Sequence, residues 1–164
     1  MNIVVKRFYE QWKDAAGWTT KYLNWLNDEE LAFEVAPGRN HGIWILGHLI
    51  QSEDDLARYL GRGDCQFPEY EKLFSMKSKL LPISEYPPAA VLREHWLTAL
   101  KRNDAILQTM TDEEWDQPHS FMNSTSEDDF YGTKGSCIFH WTMHMMYHNG
   151  QLAILLANCG KAKY

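Results

Sequence analysis

Three of the seven histidines recur at every fourth residue, in the run His140-Trp-Thr-Met-His144-Met-Met-Tyr-His148. On a helix that turns by about 100° per residue, His144 and His148 lie roughly 40° apart and one turn apart along the axis. Two imidazoles placed in this way can bind one divalent transition-metal ion between them. The spacing therefore predicts a histidine metal site on a helix.

The rest of the same segment is strongly apolar, with Phe139, Trp141 and Met143 among its large residues. One narrow strip of the helical wheel holds the histidines and most of the polar side chains: Thr133, Cys137, His140, His144, His148, Gln151 and Leu155. An H-x3-H pair on an arbitrary helix more often faces solvent. Here the helix is apolar over most of its circumference, and polar groups turned into a core need bonding partners. We therefore favour a metal cavity over a solvated face.

A third ligand has to come from another helix, and His48 is the candidate. It lies in Trp44-Ile-Leu-Gly47-His48-Leu-Ile-Gln51, where Gly47 permits the close approach of a neighbouring backbone. Taken alone, a histidine beside leucine and isoleucine is more often a hydrogen-bonded core residue than a ligand. With His48, the site would have three imidazoles and at least one open coordination position, which is typical of catalytic rather than structural metal sites.

Four long helices are predicted to position these residues. Apolar residues at steps of three and four predict helices over 3–26, about 41–60, 87–110, and 133 or 134 to 158. Asn40 is expected to cap the second helix, Gly61 to end it, and Pro87-Pro88 to form the first turn of the third. The third helix is expected to bury one stripe: Val91, Leu92, Trp96, Leu97, Leu100, Asp104, Leu107 and Met110.

The connections between these helices favour one architecture. Residues 61–88 form the longest connection, with one short helical turn expected at 69–74, and a crossover along a bundle needs that length. A capping box at 111–114 predicts a short extra helical turn, and the polar residues 117–132 are predicted to form a loop. No segment alternates well enough to predict a sheet. We therefore predict an all-α fold, a four-helix bundle with a long crossover between helices 2 and 3, as a single domain over 1–164.

Composition excludes several classes of function. The net charge of −6, without a Lys/Arg cluster, argues against nucleic-acid binding. No apolar stretch approaches the roughly 20 residues of a membrane span, and residues 1–14 lack the apolar core of a secretory signal. Three cysteines without CxxC spacing (Cys65, Cys137 and Cys159) fit reduced thiols used for packing. We therefore expect a cytoplasmic protein that acts on a small molecule.

Two segments resemble the DinB-like (damage-inducible) superfamily of metal-binding helical bundles, to which thiol-dependent S-transferases also belong. Ile45-Leu-Gly-His48-Leu-Ile is similar to that family's second-helix histidine segment, and His144-Met-Met-Tyr-His148-Asn-Gly-Gln151 is similar to its fourth-helix H-x3-H-x-G-Q signature. Helix order and length extend the resemblance over nearly the whole chain. The family usually has arginine before Gly-Gln, where this chain has Asn149.

The resemblance implies that His48, His144 and His148 are the ligands of nickel or zinc, with His140 in an accessory position. Such an ion can activate water or bind a thiolate, so hydrolysis and transfer to a low-molecular-weight thiol both stay open. Met145 follows His144 where H-E-x-x-H peptidases have glutamate, which argues against their mechanism. The residues that could support the site from nearby helix positions are Gln51, Asp55 and Gln151.

Three functions are compatible with the sequence. The first is a metal-dependent hydrolase or thiol-dependent transferase. The second is a non-catalytic protein that binds a metal or a small ligand, and the third is a structural or interaction bundle whose histidines are core residues. A homodimer is also expected, because Trp12, Trp18 and Trp25 on the first helix offer apolar surface for a second interface.

Overall fold

A computed structural model of the chain describes residues 2–120 and 132–161. Four long helices are α1 (Ile3–Trp25), α3 (Gly42–Tyr59), α5 (Ala89–Thr109) and α7 (Lys134–Asn158). Short helices α2 (Asp28–Leu31), α4 (Tyr70–Phe74) and α6 (Asp112–Trp115) and a 3-10 turn (Ile83–Glu85) lie between them. The described residues contain no strand. The all-α prediction is confirmed, while residues 121–131 of the expected loop lie outside the described part.

The ends of the helices agree with the sequence patterns in most places. Thr111 forms the expected capping box, and Gly61 has a positive φ of 70° just beyond α3. The prediction that Asn40 caps α3 is wrong. His41 is the cap, with its Nδ1 accepting from the backbone N–H of Trp44 at 2.9 Å, while the Asn40 carbonyl pairs with the preceding turn. The two prolines 87 and 88 precede α5 rather than forming its first turn.

The bundle has one pair of parallel helices on each side. Contacts of Phe8 with Phe139 and of Thr19 with Asn149 make α1 and α7 parallel. Contacts of residue 48 with 144 and of 52 with 141 make α3 antiparallel to α7, and contacts of residue 9 with 104 and of 20 with 96 make α5 antiparallel to α1. Hence α3 and α5 run parallel. Parallel neighbours cannot be joined by a tight turn, which explains the long crossover over residues 60–88.

The crossover carries α4, which packs on α3 through side chains that are fully buried. The ring of Phe74 lies against Gly47, and a Cβ on Gly47 would overlap three atoms of that ring. Glycine at position 47 therefore lets α4 approach the backbone of α3. This close contact also brings the end of α4 beside His48.

Two expectations about apolar side chains are wrong. Leu97 is 56% exposed, because it lies on the outer face of α5 rather than on the buried stripe. Trp12 is only 2% exposed, and its indole N–H donates to Glu53 at 3.1 Å inside the bundle, so it is not available for a dimer interface. Trp18 remains 36% exposed and Trp25 half-buried. The homodimer stays a prediction.

Glu53 is a buried carboxyl at the centre of the bundle. Its Oε2 accepts from the indole of Trp12 and from the amide of Asn103 at 2.8 Å. Glu53 Oε1 and Asn103 Oδ1 are buried and have no hydrogen-bond partner among the described residues. Burial raises the pKa of Glu53 from 4.5 to about 7 because the charged form loses its hydration.

Among the residues that the structure describes, none of the helices combines the length and the apolar character needed to cross a membrane.

Gly47→Ala is expected to lower the free energy of unfolding by about 1–3 kcal/mol, because the new methyl group displaces the Phe74 ring in a packed core. Urea unfolding followed by circular dichroism measures the change. Gly17→Ala is the matched control: Gly17 is a mid-helix glycine with open space around its Cβ position. There alanine should raise stability by up to about 1 kcal/mol. Equal effects at both positions would contradict the proposed contact.

Glu53→Gln is expected to change how stability depends on pH. Between pH 4.5 and about 7 the folded state keeps the Glu53 proton while the unfolded state loses it, so this group makes unfolding easier as pH rises. The variant lacks that contribution and should exceed the wild type by up to about 3 kcal/mol at pH 8, with little difference at pH 4.5. Urea unfolding of both proteins at the two pH values measures this. Parallel pH profiles would rule out a protonated Glu53.

Candidate metal centre

The three predicted histidines meet where α3 and α7 pack antiparallel. His144 Nε2 lies 3.0 Å from His48 Nε2 and 3.0 Å from His148 Nε2. The three ring nitrogens all lie within 4.8 Å of one another, and together these residues could hold a metal ion. His48 and His148 are buried and His144 is half-buried. One residue of α3 and two residues of α7 therefore form one cluster.

The other nitrogen of each ring has its own hydrogen-bond partner. The backbone carbonyl of Phe74 accepts from His48 Nδ1 at 2.8 Å, and Gln151 Oε1 accepts from His148 Nδ1 at 2.7 Å. His144 Nδ1 lies 3.2 Å from Ser52 Oγ. These partners come from α4, α7 and α3, and they aim all three Nε2 atoms at one point.

The positions of the ring protons follow from these partners. A carbonyl oxygen only accepts, so His48 and His148 carry their protons on Nδ1 and their Nε2 atoms are acceptors. His144 Nε2 faces both acceptors, and one N–H there can satisfy only one of them well. A cation at the point of convergence satisfies all three lone pairs, so the donor set fits a metal ion.

Burial keeps these imidazoles neutral. It lowers the pKa of His48, and it lowers the pKa of His144 to about 3 and that of His148 to about 4. Neighbouring histidine rings lower the pKa of His144 and of His148 further. Neutral imidazole is the form that binds metals. Two of the three separations, 3.0 Å each, fit a shared ion, because two nitrogens that each lie about 2.1 Å from an ion at a right angle are about 3 Å apart. The remaining pair lies within 4.8 Å.

The comparisons with known proteins place the chain in a family. The family model described as the DinB superfamily matches residues 11–152. The chain belongs to the DinB superfamily. The fold is also similar to the crystal structure of a conserved protein of locus from Enterococcus faecalis, with a TM-score of 0.70 and 13% identity over 98% of this chain and 99% of that one. No curated protein matches the sequence significantly.

The DinB signature residues after His148 take different positions. Gln151 lies beside the histidines and holds His148, as described above. Asn149, where the family usually has arginine, is buried between α7 and α1. Its amide donates to the Ala15 carbonyl at 3.0 Å and its Oδ1 accepts from Thr19 at 2.8 Å. In this DinB chain Asn149 therefore joins α7 to α1 instead of holding a histidine of the cluster.

Three other residues named from the sequence lie apart from the cluster of Nε2 atoms. His140 does not belong to the group within 4.8 Å, and its ring packs against Phe139 at a centroid distance of 5.9 Å. Gln51 donates to Asp55 and to Glu71 rather than to a histidine. The supporting roles of His140, Gln51 and Asp55 therefore stay predictions.

Sequence reasoning missed three groups that contact the cluster. Ser52 was detectable, because it lies four residues after His48 on the same face of α3. Trp44, four residues before His48, stacks on its ring at 4.7 Å. The contact of the Phe74 carbonyl with His48 could not be predicted from the sequence, because the residue type does not show where a backbone oxygen points.

No cysteine of this DinB chain, all three of which lie in the described part, belongs to the group of convergent ligand atoms, and burial raises the pKa of two of the three thiols strongly. Cys137 is buried, and burial raises the pKa of its thiol to about 12. Burial likewise raises the pKa of Cys65 to about 11. Both are thiols at neutral pH, whereas nucleophilic cysteines react as thiolates.

His48→Ala is expected to abolish stoichiometric binding of nickel or zinc, because two histidines of one helix cannot replace the third ligand from α3. Elemental analysis of untagged protein and calorimetric titration with each ion measure this. His140→Ala, a histidine outside the group, is the control and should keep one ion per chain. Metal binding that depends on His140 and not on His48 would contradict this assignment.

Proposed function

We propose that this chain is a metal-dependent enzyme that transfers a group to a low-molecular-weight thiol, with His48, His144 and His148 as ligands of a divalent transition metal. One observation carries the proposal: three ring nitrogens converge while a partner holds the opposite nitrogen of each ring. Three protein ligands leave open positions, which is typical of catalytic metal sites. Nickel or zinc is expected, since imidazole suits both.

A divalent ion held by the histidines would act as a Lewis acid and lower the pKa of a thiol or water bound to it. The surrounding residues favour the thiol. Among the hydrogen bonds of the described residues, the three rings contact a carbonyl, a hydroxyl, an amide and one another, but no carboxylate. A free thiol has a pKa of about 8.5 and water one of about 15.7, so a bound thiol needs a much smaller pKa shift to ionise without help from a base. We therefore place thiol transfer ahead of hydrolysis.

The remaining side chains orient the rings and limit access to them. Trp44 covers one face of His48, and the rings of Tyr147 and His148 meet at a steep angle with their centres 5.1 Å apart. His144 is the most exposed of the three histidines. We infer that a substrate approaches from the side of His144, where it meets the convergent nitrogens.

The proposal predicts turnover with an electrophile such as 1-chloro-2,4-dinitrobenzene and a panel of small thiols. In each reaction the thiolate sulfur forms the new C–S bond while chloride leaves, and the thiol proton passes to the buffer. Nickel- or zinc-loaded wild type should exceed the uncatalysed rate with at least one thiol, and His144→Ala should fall to that rate. Product absorbance measures both.

The fold control for this assay is the unfolding curve of His144→Ala, which should remain cooperative because His144 is only half-buried. Wild-type protein with one bound ion and no turnover for any thiol would instead indicate a non-catalytic metal-binding protein. Hydrolysis of esters or amides that is lost in His144→Ala would favour the hydrolase.

A further inference from the structure

A cavity lies between α3, residues 64–68 and α4, and its nearest lining residue on α3 is about one helical turn from His48. It has a volume of about 420 Å³, and its lining includes Gln51, Asp55, Arg58, Asp64 and Glu71. Small-molecule sites commonly have volumes of about 300–1,000 Å³. We call it the acidic cavity, and none of the functions discussed so far uses it.

The acidic cavity and the histidine cluster are built on the same pair of segments. His48 Nδ1 donates to the Phe74 carbonyl, and one turn further along α3 Gln51 donates to Glu71 Oε2 at 2.9 Å. About one turn further along α3, Asp54 Oδ2 accepts a hydrogen bond from the backbone N–H of Phe67 at 2.8 Å. Successive contacts along a helix are about 5 Å apart. The cavity therefore begins about one helical turn from His48.

The charges that line the cavity are mainly negative. Asp54 is already compensated, since it accepts from Arg102 at 3.0 Å and from two backbone N–H groups. Asp55 pairs with Arg58 at 3.2 Å. Within the described part of the chain, Asp64 and Glu71 have no ion pair with a cation. The cavity thus has an excess of carboxylates over the one guanidinium in its lining.

One hydrogen-bond arrangement indicates which chemical group fits there. The side-chain amide of Gln51 donates to carboxylates on both sides, Asp55 on its own helix and Glu71 on α4. An ammonium group offers three N–H donors and a full positive charge to the same oxygens. Burial raises the pKa of Asp55, which a nearby cation would offset.

We propose that the acidic cavity binds a protonated amine of the substrate, held by Asp55 and Glu71 while the reactive end of the same molecule reaches the three histidines. The inference rests on the proposed function and specifies its substrate class. The substrate is thus a small amine-bearing molecule whose reactive group and ammonium are separated by about one to two helical turns, roughly 5–10 Å.

The first test uses metal-free full-length protein, so it does not depend on the metal centre. The side-chain amide of Gln51 is followed by ¹H–¹⁵N NMR during titration with 1,5-diaminopentane and, separately, with pentane-1,5-diol. The diamine should cause a saturable shift and the diol should not. Absence of a saturable shift, or equal shifts with the two compounds, would overturn the proposal.

Matched variants separate specific contact from general attraction. Glu71→Gln should weaken diamine binding about three- to fivefold, the size expected for one partly exposed ion pair. Glu69→Gln makes the same charge change two residues away at a position outside the lining, and it should leave affinity unchanged. Equal weakening in both variants would mean that only net charge attracts the diamine, and would overturn the site.

The position of the cavity relative to the histidines is tested by adding one equivalent of Co²⁺ to the diamine complex. Paramagnetic broadening of the diamine protons is expected. Cobalt that binds, as its absorption spectrum reports, without broadening the diamine signals would overturn the link to the substrate. Cobalt that does not bind would contradict the proposed function, and with it the assignment of the amine to that function's substrate.

Discussion

Three imidazole nitrogens that point at one another are the constraint on which the site depends. Two of them are fixed as acceptors by the Phe74 carbonyl and by Gln151, and the third faces both across 3.0 Å. Acceptors brought together in a buried place repel unless a proton or a cation lies between them. The fold stabilises this arrangement through hydrogen-bond partners on α3, α4 and α7. Such partners are expected where histidines are oriented to bind a metal ion.

Packing far from the ring nitrogens decides whether this arrangement forms. The Phe74 carbonyl reaches His48 only because α4 lies close on α3, and that closeness needs glycine at position 47. The parallel course of α3 and α5 creates the crossover that carries α4. The connectivity of the bundle therefore determines the orientation of His48, because the crossover carries the helix whose carbonyl holds its ring.

Much of this could be predicted from sequence because it depends on local periodicity. The long helices follow from apolar spacing, and His144 and His148 share a face by their separation alone. The cap at His41, the buried position of Trp12 and the outward position of Leu97 depend on how helices pack, which periodicity does not specify. The pairing of His48 with the last helix needed the family resemblance, and the carbonyl that orients it has no side-chain signature.

The separation of neutral and acidic residues along α3 has a chemical consequence. Carboxylates close to the histidines would compete for a divalent ion and reduce its ability to polarise other ligands. Here Asp55 lies two turns beyond His48, where Arg58 and Gln51 contact it, and the described hydrogen bonds of the histidines involve neutral groups. An ion at the histidines would keep its full double charge, while the negative region that begins one turn away would attract a cationic part of a substrate. Along α3, the metal centre that would bind the reactive group of a substrate is thus separate from the carboxylates that would bind its ammonium group.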